Sequence, residues 1–217
     1  MEIHNVHIAM LQGTRSKFGG DRTIGEYKIF YEAAGTNKIE SYTGLAIVIR
    51  TSLLNGAQIK KMSWHEGRIL ALRVKNKFYD MHLISAYSPG DHLCRDVRNK
   101  FWHTLRKGLA GVPKRSSILL GMDANGHIGR DPGPGIGGET PERWTENGLE
   151  LQRTCTELHL TALNTIQGCK HTDWTWQRRD GRGCTRIDYL LSSNRLLSQV
   201  SINHGANDVI KFELQGA

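Results

Sequence analysis

The sequence lacks long apolar runs and clustered cysteines, and both absences narrow the class of protein. No uninterrupted apolar stretch among the 217 residues approaches the roughly 20 residues that a membrane-spanning helix needs. The four cysteines are far apart and form no Cys-x-x-Cys pair, which argues against a zinc site and a dense disulfide framework. The first residues show no signal-peptide pattern. We therefore expect reduced thiols, no membrane partner and an intracellular location.

Positive charge exceeds negative charge, with 29 Lys and Arg residues against 21 Asp and Glu residues and a formal net charge of +8. Such an excess favours an anionic partner, above all nucleic acid, although it also serves solubility alone. The length suffices for one sizeable core, and there is no internal repeat and no low-complexity segment. We expect residues 1–217 to form a single, monomeric domain.

Apolar residues alternate or cluster in short segments that are typical of β-strands. Val6, Ile8 and Met10 alternate with other residues, which predicts a first strand over residues 6–12. Residues 19–21 are rich in glycine and predict a loop. We predict further strands at 27–31, 44–50, 69–74, 78–87, 116–122, 160–163, 174–176, 187–191 and 209–214. This distribution favours β-sheets over a helical bundle.

Two segments have the spacing of amphipathic helices. In the first, apolar residues recur every four positions, at Val97, Phe101, Leu105 and Leu109. We expect Asp91 to cap this helix and Gly111 to end it. The second helix is marked by Leu151, Cys155 and Leu158. A strand, a helix and a strand in this order imply a crossover that covers one face of a sheet.

A buried strand delivers two polar side chains where it ends, at Asp123 and Asn125. Residues two apart on an extended backbone point the same way, so both side chains would face one ligand. An Asx-type turn is the alternative, because Asp, Asn and Gly are common turn residues. Asp188 lies within the apolar segment 187–191, where an unpaired buried carboxylate is costly and therefore needs a partner.

Aromatic and basic residues surround the predicted strand at 174–176. Trp174 and Trp176 alternate with Thr175, which predicts that at least one of the two indoles lies in the core. Arginines cluster around the adjacent turn, where they either follow a phosphate backbone or form a solvated face. They are Arg178, Arg179, Arg182 and Arg186.

Five short motifs occur in a fixed order along the chain. They are Leu11-Gln12-x-Thr14-Arg15, Tyr87-Ser88-Pro89, Gly121-Met122-Asp123-Ala124-Asn125, Thr175-Trp176 and Arg186-Ile187-Asp188-Tyr189. Each is weak alone, but their order makes the set specific, and the set resembles the endonuclease/exonuclease/phosphatase superfamily. Within it, the sequence is most similar to the endonuclease domain of non-LTR retrotransposons and to their domesticated, craniofacial-development-protein-like relatives.

The resemblance implies both a fold and an activity. The fold would be α/β, a four-layer sandwich in which two mostly antiparallel β-sheets pack face to face with helices outside. The activity would be divalent-metal-dependent phosphodiester hydrolysis, endonuclease-like and on DNA, with Mg²⁺ as the cofactor or Mn²⁺ in its place. A nucleic-acid partner, DNA before RNA, makes the nucleus a candidate location.

The resemblance also assigns roles to individual residues. Asp123 would help to activate the attacking water, Asn125 would orient the phosphate, and the Tyr87 hydroxyl would lie against it. Asp188 would be the second carboxylate, near the metal or the water. The positions that contact nucleic acid would be Arg15, Thr175 and Arg186. Tyr87 is open to a simpler interpretation as the end residue of an amphipathic strand.

The sequence departs from the family pattern at both ends. The family's metal-binding Glu after the first-motif Gln is replaced by Gly13, which leaves the metal ligands undefined. The catalytic His of a C-terminal Ser-Asp-His has no match, because Asn207-Asp208-Val209 lacks it. An upstream strand that carries an Asn is also unmatched. We therefore expect a domain truncated or degenerate at both ends, without terminal strands and with weakened or lost activity.

Two alternatives to an active endonuclease follow. The first is a catalytically inactive, nucleic-acid-binding remnant of a retrotransposon endonuclease domain. The second is a phosphatase that acts on a small or lipid phosphoester, and both the basic charge and the retrotransposon-like motifs argue against it.

Overall fold

The computed structural model of the protein describes residues 6–36, 41–129, 133–137, 144–166, 174–177, 183–193, 200–204 and 210–214. The described part of the chain contains two α-helices, α1 (Arg95–Ala110) and α2 (Glu146–Leu158). Its strands are β1 (Ile8–Gln12), β2 (Gly20–Ile24), β3 (Tyr27–Glu32), β4 (Leu45–Arg50), β5 (Gln58–His65), β6 (Ile69–Lys75), β7 (Asp80–Tyr87), β8 (Ser117–Asp123), β9 (Leu160–Ala162), β10 (Trp176–Gln177), β11 (Cys184–Thr185), β12 (Asp188–Ser193), β13 (Val200–His204) and β14 (Ile210–Leu214).

The first sheet has four antiparallel strands in the order β1-β4-β3-β2. Its interior strand β4 is buried over residues 45–49, as its apolar run predicts. Strand β2 begins at Gly20, so the loop predicted at residues 19–21 was wrong. Residues 21–24 of this edge strand are exposed, and therefore no apolar alternation marks them in the sequence.

The second sheet has six strands in the order β5-β6-β7-β8-β12-β9. Its neighbouring strands are antiparallel except β7 and β8, which are parallel. Helix α1 connects β7 to β8 and supplies the crossover that a parallel pair requires. The carboxyl ends of β7 and β8 consequently meet at the same edge of the sheet.

The two sheets pack face to face around one apolar core. A second apolar core lies between the six-stranded sheet and the two α-helices. On β8, Leu119 faces the four-stranded sheet, whereas Leu120 and Met122 face the helices. Both α1 and α2 pack on the outer face of the six-stranded sheet, through Phe101, Trp102, Leu105 and Leu151. Because both faces of β8 are buried, its sequence is continuously apolar. The predicted α/β sandwich is confirmed, with both described α-helices on the six-stranded side.

The helix boundaries agree with the sequence patterns except at the start of α1. Leu93 N–H donates to Gly90 O in a turn that precedes the helix, so Cys94 rather than Asp91 occupies the capping position. The predicted Asp91 cap was therefore wrong, whereas Gly111 ends the helix as expected. Helix α2 is capped by a side chain, because Thr145 Oγ1 accepts a hydrogen bond from the N–H of a residue in its first turn.

Three further strands, β5, β11 and β13, were not predicted. The edge strand β5 is largely polar, which hides it from an apolar pattern. Strand β13 pairs with β14 in a two-stranded antiparallel sheet, where only the second strand was expected. The residues 207–209, which we compared with the family's C-terminal motif, lie outside the described residues.

Three cysteines, Cys94, Cys155 and Cys184, carry free thiols, as expected, and Cys169 lies outside the described residues. Neither helix in the described ranges combines the length and the apolar character needed to cross a membrane.

Candidate active site

Three neighbouring strands of the six-stranded sheet each present one polar side chain at the same edge. Tyr87 at the end of β7 pairs with Asp123 at the end of β8, and Asp123 pairs with Asp188 at the start of β12. Cross-strand partners share a face, and Leu119 and Leu190 on that face lie in the core between the sheets. The register of the sheet therefore brings three of the predicted residues together at one end of the inter-sheet core.

The folded protein disfavours the ionised forms of the Asp123 and Asp188 carboxyl groups. Burial, followed by the negative charge of Asp188, raises the pKa of Asp123 to about 7, and a hydrogen bond from the Asn125 backbone opposes this shift. Burial also raises the pKa of Asp188, and a hydrogen bond with Thr175 opposes it. A carboxyl group whose pKa is near neutrality can exchange a proton at physiological pH.

Asn125 reaches the site through a tight turn. Its backbone is left-handed, with φ 46°, and its N–H donates to Asp123 Oδ1 at 2.8 Å. The Asx turn therefore forms, and the prediction that an extended backbone aligns the two side chains was wrong. The turn itself carries the amide to the site, because Asn125 Nδ2 donates to Ser88 O at 2.8 Å and the side chain is hydrogen-bonded to Tyr87.

Tyr87 has opposing influences around its hydroxyl. Burial and then the charge of Asp123 raise the pKa of Tyr87, while Arg68 and Asn125 act in the opposite direction. The phenol therefore stays protonated at neutral pH and can donate a hydrogen bond. Burial, as the largest of these causes, decides the direction.

Arg68 is a site residue that the sequence analysis missed. Its guanidinium is buried, its Nη1 donates to Tyr87 O at 3.2 Å, and its Cζ lies 5.9 Å from the centroid of the Tyr87 ring. The available signal was its position directly before the buried strand β6, where an Arg needs a partner. Arg68 places positive charge against the ring that faces Asp123.

Thr175, directly before the short hairpin β10–β11, holds Asp188 in place by hydrogen bonds. Its Oγ1 accepts hydrogen bonds from the N–H groups of Ile187 and Asp188, both at 3.1 Å, and its side chain is hydrogen-bonded to the Asp188 carboxyl. The exposed Thr175 therefore lies beside Asp188. Its contacts are with the carboxylate strand.

The two indoles beside Thr175 do not lie in the core. Trp174 is 39% exposed and Trp176 is 45% exposed, so the prediction of a core tryptophan was wrong. Strand β10 pairs with β11 alone, and this small hairpin offers no second layer to bury an indole.

The predicted arginines fall in different places. Arg15 is exposed on the loop after β1, and its positive charge opposes the rise in the pKa of Tyr87 that burial causes. Arg186 is partly buried just before β12, where its carbonyl accepts a hydrogen bond from Tyr189 Oη at 3.0 Å. Residues 178–182, with the other three arginines of the cluster, lie outside the described residues.

A second missed residue, Asn147, joins the Asx turn to both helices. It is 1% exposed, and its Nδ2 donates to Pro89 O at 2.8 Å and to Asn125 O at 3.3 Å. Its Oδ1 accepts a hydrogen bond from Trp102 Nε1 at 2.8 Å. The signal was present in the sequence, because Asn147 precedes Leu151 by four positions and extends the buried stripe of α2.

Two solved structures share this arrangement of sheets. The endonuclease domain of TRAS1, a telomere-specific non-LTR retrotransposon, superposes with a TM-score of 0.68 at 15% identity and covers 99% of this chain and 88% of its own. The AP endonuclease LMAP from Leishmania major gives a TM-score of 0.69 at 15% identity, with 93% and 74% coverage. The chain has the endonuclease/exonuclease/phosphatase fold. The resemblance inferred from the five motifs is confirmed at this level.

The sequence comparisons find craniofacial development proteins, the relatives that the motifs predicted. Craniofacial development protein 2 from Bos taurus is 24% identical over 205 residues, and that from Tragulus javanicus is 26% identical over 206 residues. Each alignment covers 92% of this chain but only 33% and 34% of the two relatives, so the chain spans about a third of their length. No family model matches the sequence.

Position 13 faces this site of the endonuclease-type fold from the opposite sheet. A Cβ atom on Gly13 would lie 3.8 Å from Tyr87 Cε1 and 3.7 Å from Tyr42 O, so the position has room for a side chain. The preceding Gln12 bridges the sheets, since its Nε2 donates to Gly121 O at 3.2 Å. Position 13 therefore points at the site but contributes no carboxylate, and its φ of 65° is left-handed.

The site has two carboxylate side chains whose oxygen atoms suit magnesium as ligands. Mg²⁺ is commonly held by one or two carboxylates while it keeps several waters, and Asp123 and Asp188 lie directly opposite each other. A cation would also relieve the repulsion from Asp188, which adds to burial in raising the pKa of Asp123. Within the described ranges, no group of three His, Cys, Asp or Glu side chains could hold a metal ion. The two carboxylates fit the ion, and a third is lacking at position 13.

Proposed function

We propose that this chain hydrolyses phosphodiester bonds in DNA as a magnesium-dependent endonuclease, at a rate reduced by the missing carboxylate at position 13. The observation that carries the proposal is the register that sets Tyr87, Asp123 and Asp188 side by side. Further support comes from the two endonuclease structures that share the fold. The net charge of +8 suits a polyanionic substrate.

Each residue has a chemical task in this proposal. Asp123, with a pKa of about 7, accepts the proton of the attacking water. Tyr87 and Asn125 donate hydrogen bonds to the non-bridging phosphate oxygens, where negative charge increases in the transition state. Asp188 would hold the Mg²⁺ or Mn²⁺ ion, which when bound would supply positive charge to the phosphate. Arg68 keeps the Tyr87 ring in place.

Plasmid nicking tests the proposal. The native chain should convert supercoiled plasmid slowly to the open circle in Mg²⁺ and not in EDTA, and Asp123→Ala should abolish the conversion. Equal nicking by Asp123→Ala would contradict the role of this residue. A contaminating nuclease would leave the same residual nicking in the preparations of the native chain and of Asp123→Ala.

Position 13 offers a gain-of-function test with a matched control. Gly13→Glu should raise the Mg²⁺-dependent rate, because the new side chain points toward Tyr87. Gly13→Ala carries the same left-handed strain without a carboxylate and should not raise the rate. An equal response of the two variants would show that the carboxylate is not what limits the rate.

A second candidate function is binding of nucleic acid without cleavage, and Gly13 is the observation that favours it. It predicts DNA binding whose logarithmic affinity falls linearly with the logarithm of salt concentration, with no nicking in any divalent metal. Absence of binding at low salt would remove this candidate and the endonuclease together.

A further inference from the structure

An arginine and a tyrosine stack on each other at the rim of the site. The Cζ of Arg15 lies 5.1 Å from the centroid of the Tyr42 ring, and Tyr42 is 57% exposed. The sequence predicts that Arg15 contacts nucleic acid, whereas Tyr42 has no assigned role. An exposed aromatic ring with a guanidinium on its face presents a flat, positively charged surface to a ligand.

The backbone beneath this pair is firmly held. Arg15 is one of the few non-glycine residues with positive φ, at 53°, and its N–H donates to Thr43 O at 2.9 Å. Thr14 N–H donates to Gly44 O at 3.1 Å. A Cβ on Gly44 would lie 2.8 Å from Thr14 Oγ1 and 3.1 Å from Arg15 N, so the two loops touch here. A strained residue that its surroundings enforce is typical of a binding surface.

The pair lies near Tyr87. The position that a Cβ atom on residue 13 would occupy is 3.7 Å from the backbone oxygen of Tyr42 and 3.8 Å from Tyr87 Cε1, so the Tyr42 backbone and the Tyr87 ring flank the same point. Arg15 is also close enough to Tyr87 for its charge to act on the phenol. Because Tyr42 stacks on Arg15, a nucleic acid whose phosphate reached Tyr87 would also come close to this pair.

We propose that Arg15 and Tyr42 form a stacking platform for an unpaired nucleobase, and that the substrate is nucleic acid with an unpaired nucleotide beside the bond to be cleaved. This inference rests on the proposed function for the choice of nucleic acid as ligand. Bases stack on aromatic rings and on guanidinium planes, and every base offers a face for this contact. In a regular duplex both faces of each base are already stacked, so the platform finds a free face only where pairing is interrupted.

Binding to two matched duplexes tests the platform without any hydrolysis. One duplex carries a single unpaired 2-aminopurine, and the other has the same flanking sequence fully paired; both are titrated in EDTA by anisotropy and by 2-aminopurine quenching. The native chain should bind the interrupted duplex about 5-fold to 100-fold more tightly, the range that stacking of one base provides. Tyr42→Ala should remove this preference and the quenching, while Tyr42→Trp should retain both.

Phe78 provides the matched control. It is 80% exposed with Lys77 Nζ 4.7 Å from its ring centroid, but it lies in the turn before β7, at the opposite end of that strand from Tyr87. Phe78→Ala should leave the preference unchanged. An unchanged preference in Tyr42→Ala, or an equal loss in Phe78→Ala, would overturn the platform.

The outcomes separate this inference from the proposed function. A Tyr42-dependent preference without nicking of any substrate supports the platform and overturns hydrolysis. Magnesium-dependent nicking with equal affinity for both duplexes supports hydrolysis and overturns the platform, and it leaves Arg15 as a contact to the phosphate backbone alone.

Discussion

Asp123 occupies a position in which its negative charge is unfavourable for two reasons. The side chain is largely removed from water, and the Asp188 carboxyl lies opposite it in the sheet. The folded protein therefore holds the proton of Asp123 more tightly than the unfolded chain does. A group of this kind links the chemistry of the site to the stability of the fold.

The first prediction concerns the pH dependence of stability. The folded pKa of Asp123 is about 7 against an ordinary value of 3.8, so the contribution of this residue to stability is greatest below that ordinary value and is lost as the pH rises through about 7. The loss is at most about 4 kcal/mol for this residue, and Asp188 adds to it with the same sign. Urea unfolding at a series of pH values measures it.

Asp123→Asn is the variant that assigns this effect. An amide does not titrate, so the variant should lose less stability than the native chain between about pH 4 and pH 8, and it should be the more stable of the two at the alkaline end. A native-like loss in the variant would show that another group is responsible.

Asn147 acts between elements of secondary structure. One amide bonds to the Asn125 turn, to the segment after β7 and to the indole of α1. Because Asn147 lies in the first turn of α2, its hydrogen bond to Asn125 O attaches the start of this helix to the loop that carries the candidate site. Side-chain hydrogen bonds of a single buried residue thus couple two helices and two loops.

The second prediction is that Asn147→Leu destabilises the protein by about 2–4 kcal/mol, because the Trp102 N–H and the Pro89 carbonyl are left buried without these partners. Urea denaturation measures the loss. Thr156→Ala, on the exposed side of the same helix, should change the stability by no more than about 0.5 kcal/mol. Similar losses in the two variants would mean that the amide has no special role.

The whole molecule depends on the close approach of its two sheets near the site. Gly121 of β8 faces Met10 of β1, and a Cβ at position 121 would lie 2.8 Å from Met10 Sδ and 2.9 Å from Met10 Cβ. Gln12 crosses the same gap to the Gly121 carbonyl. The spacing of the sheets, and with it the position of residue 13 opposite Tyr87, is therefore set by a glycine.

The third prediction is that Gly121→Ala destabilises the protein by about 1–3 kcal/mol through overpacking between the sheets. Gly111→Ala is the control, because a Cβ there would meet its nearest atoms only at 3.4 Å and 3.5 Å. Combining Gly121→Ala with Met10→Gly should cost less than the sum of the two single changes, since glycine at position 10 removes the side-chain atoms that the new Cβ would meet. Simple additivity in thermal or urea unfolding would contradict this account of the contact.

The sequence pattern predicted β8 and the two helices well for a physical reason. Strands and helices that bury apolar side chains carry their burial in the local order of residues, as Leu119 and Leu120 do on opposite faces of β8. The exposed edge strand β2 buries little, so its sequence contains no such pattern. Trp176 shows the converse error, because an apolar residue in a strand pattern is buried only if a second layer covers it.

By itself, the sequence determined the apolar strands through local spacing. Its resemblance to the endonuclease/exonuclease/phosphatase superfamily, which five ordered motifs carry, gave the α/β class and the candidates Asp123, Asn125, Asp188 and Tyr87. Only the tertiary structure decided that Tyr87, Asp123 and Asp188 share one row and that Arg68 and Asn147 support it. These contacts join residues that are distant along the chain. They depend on strand register and on the packing of helices against the sheet, and a local pattern records neither.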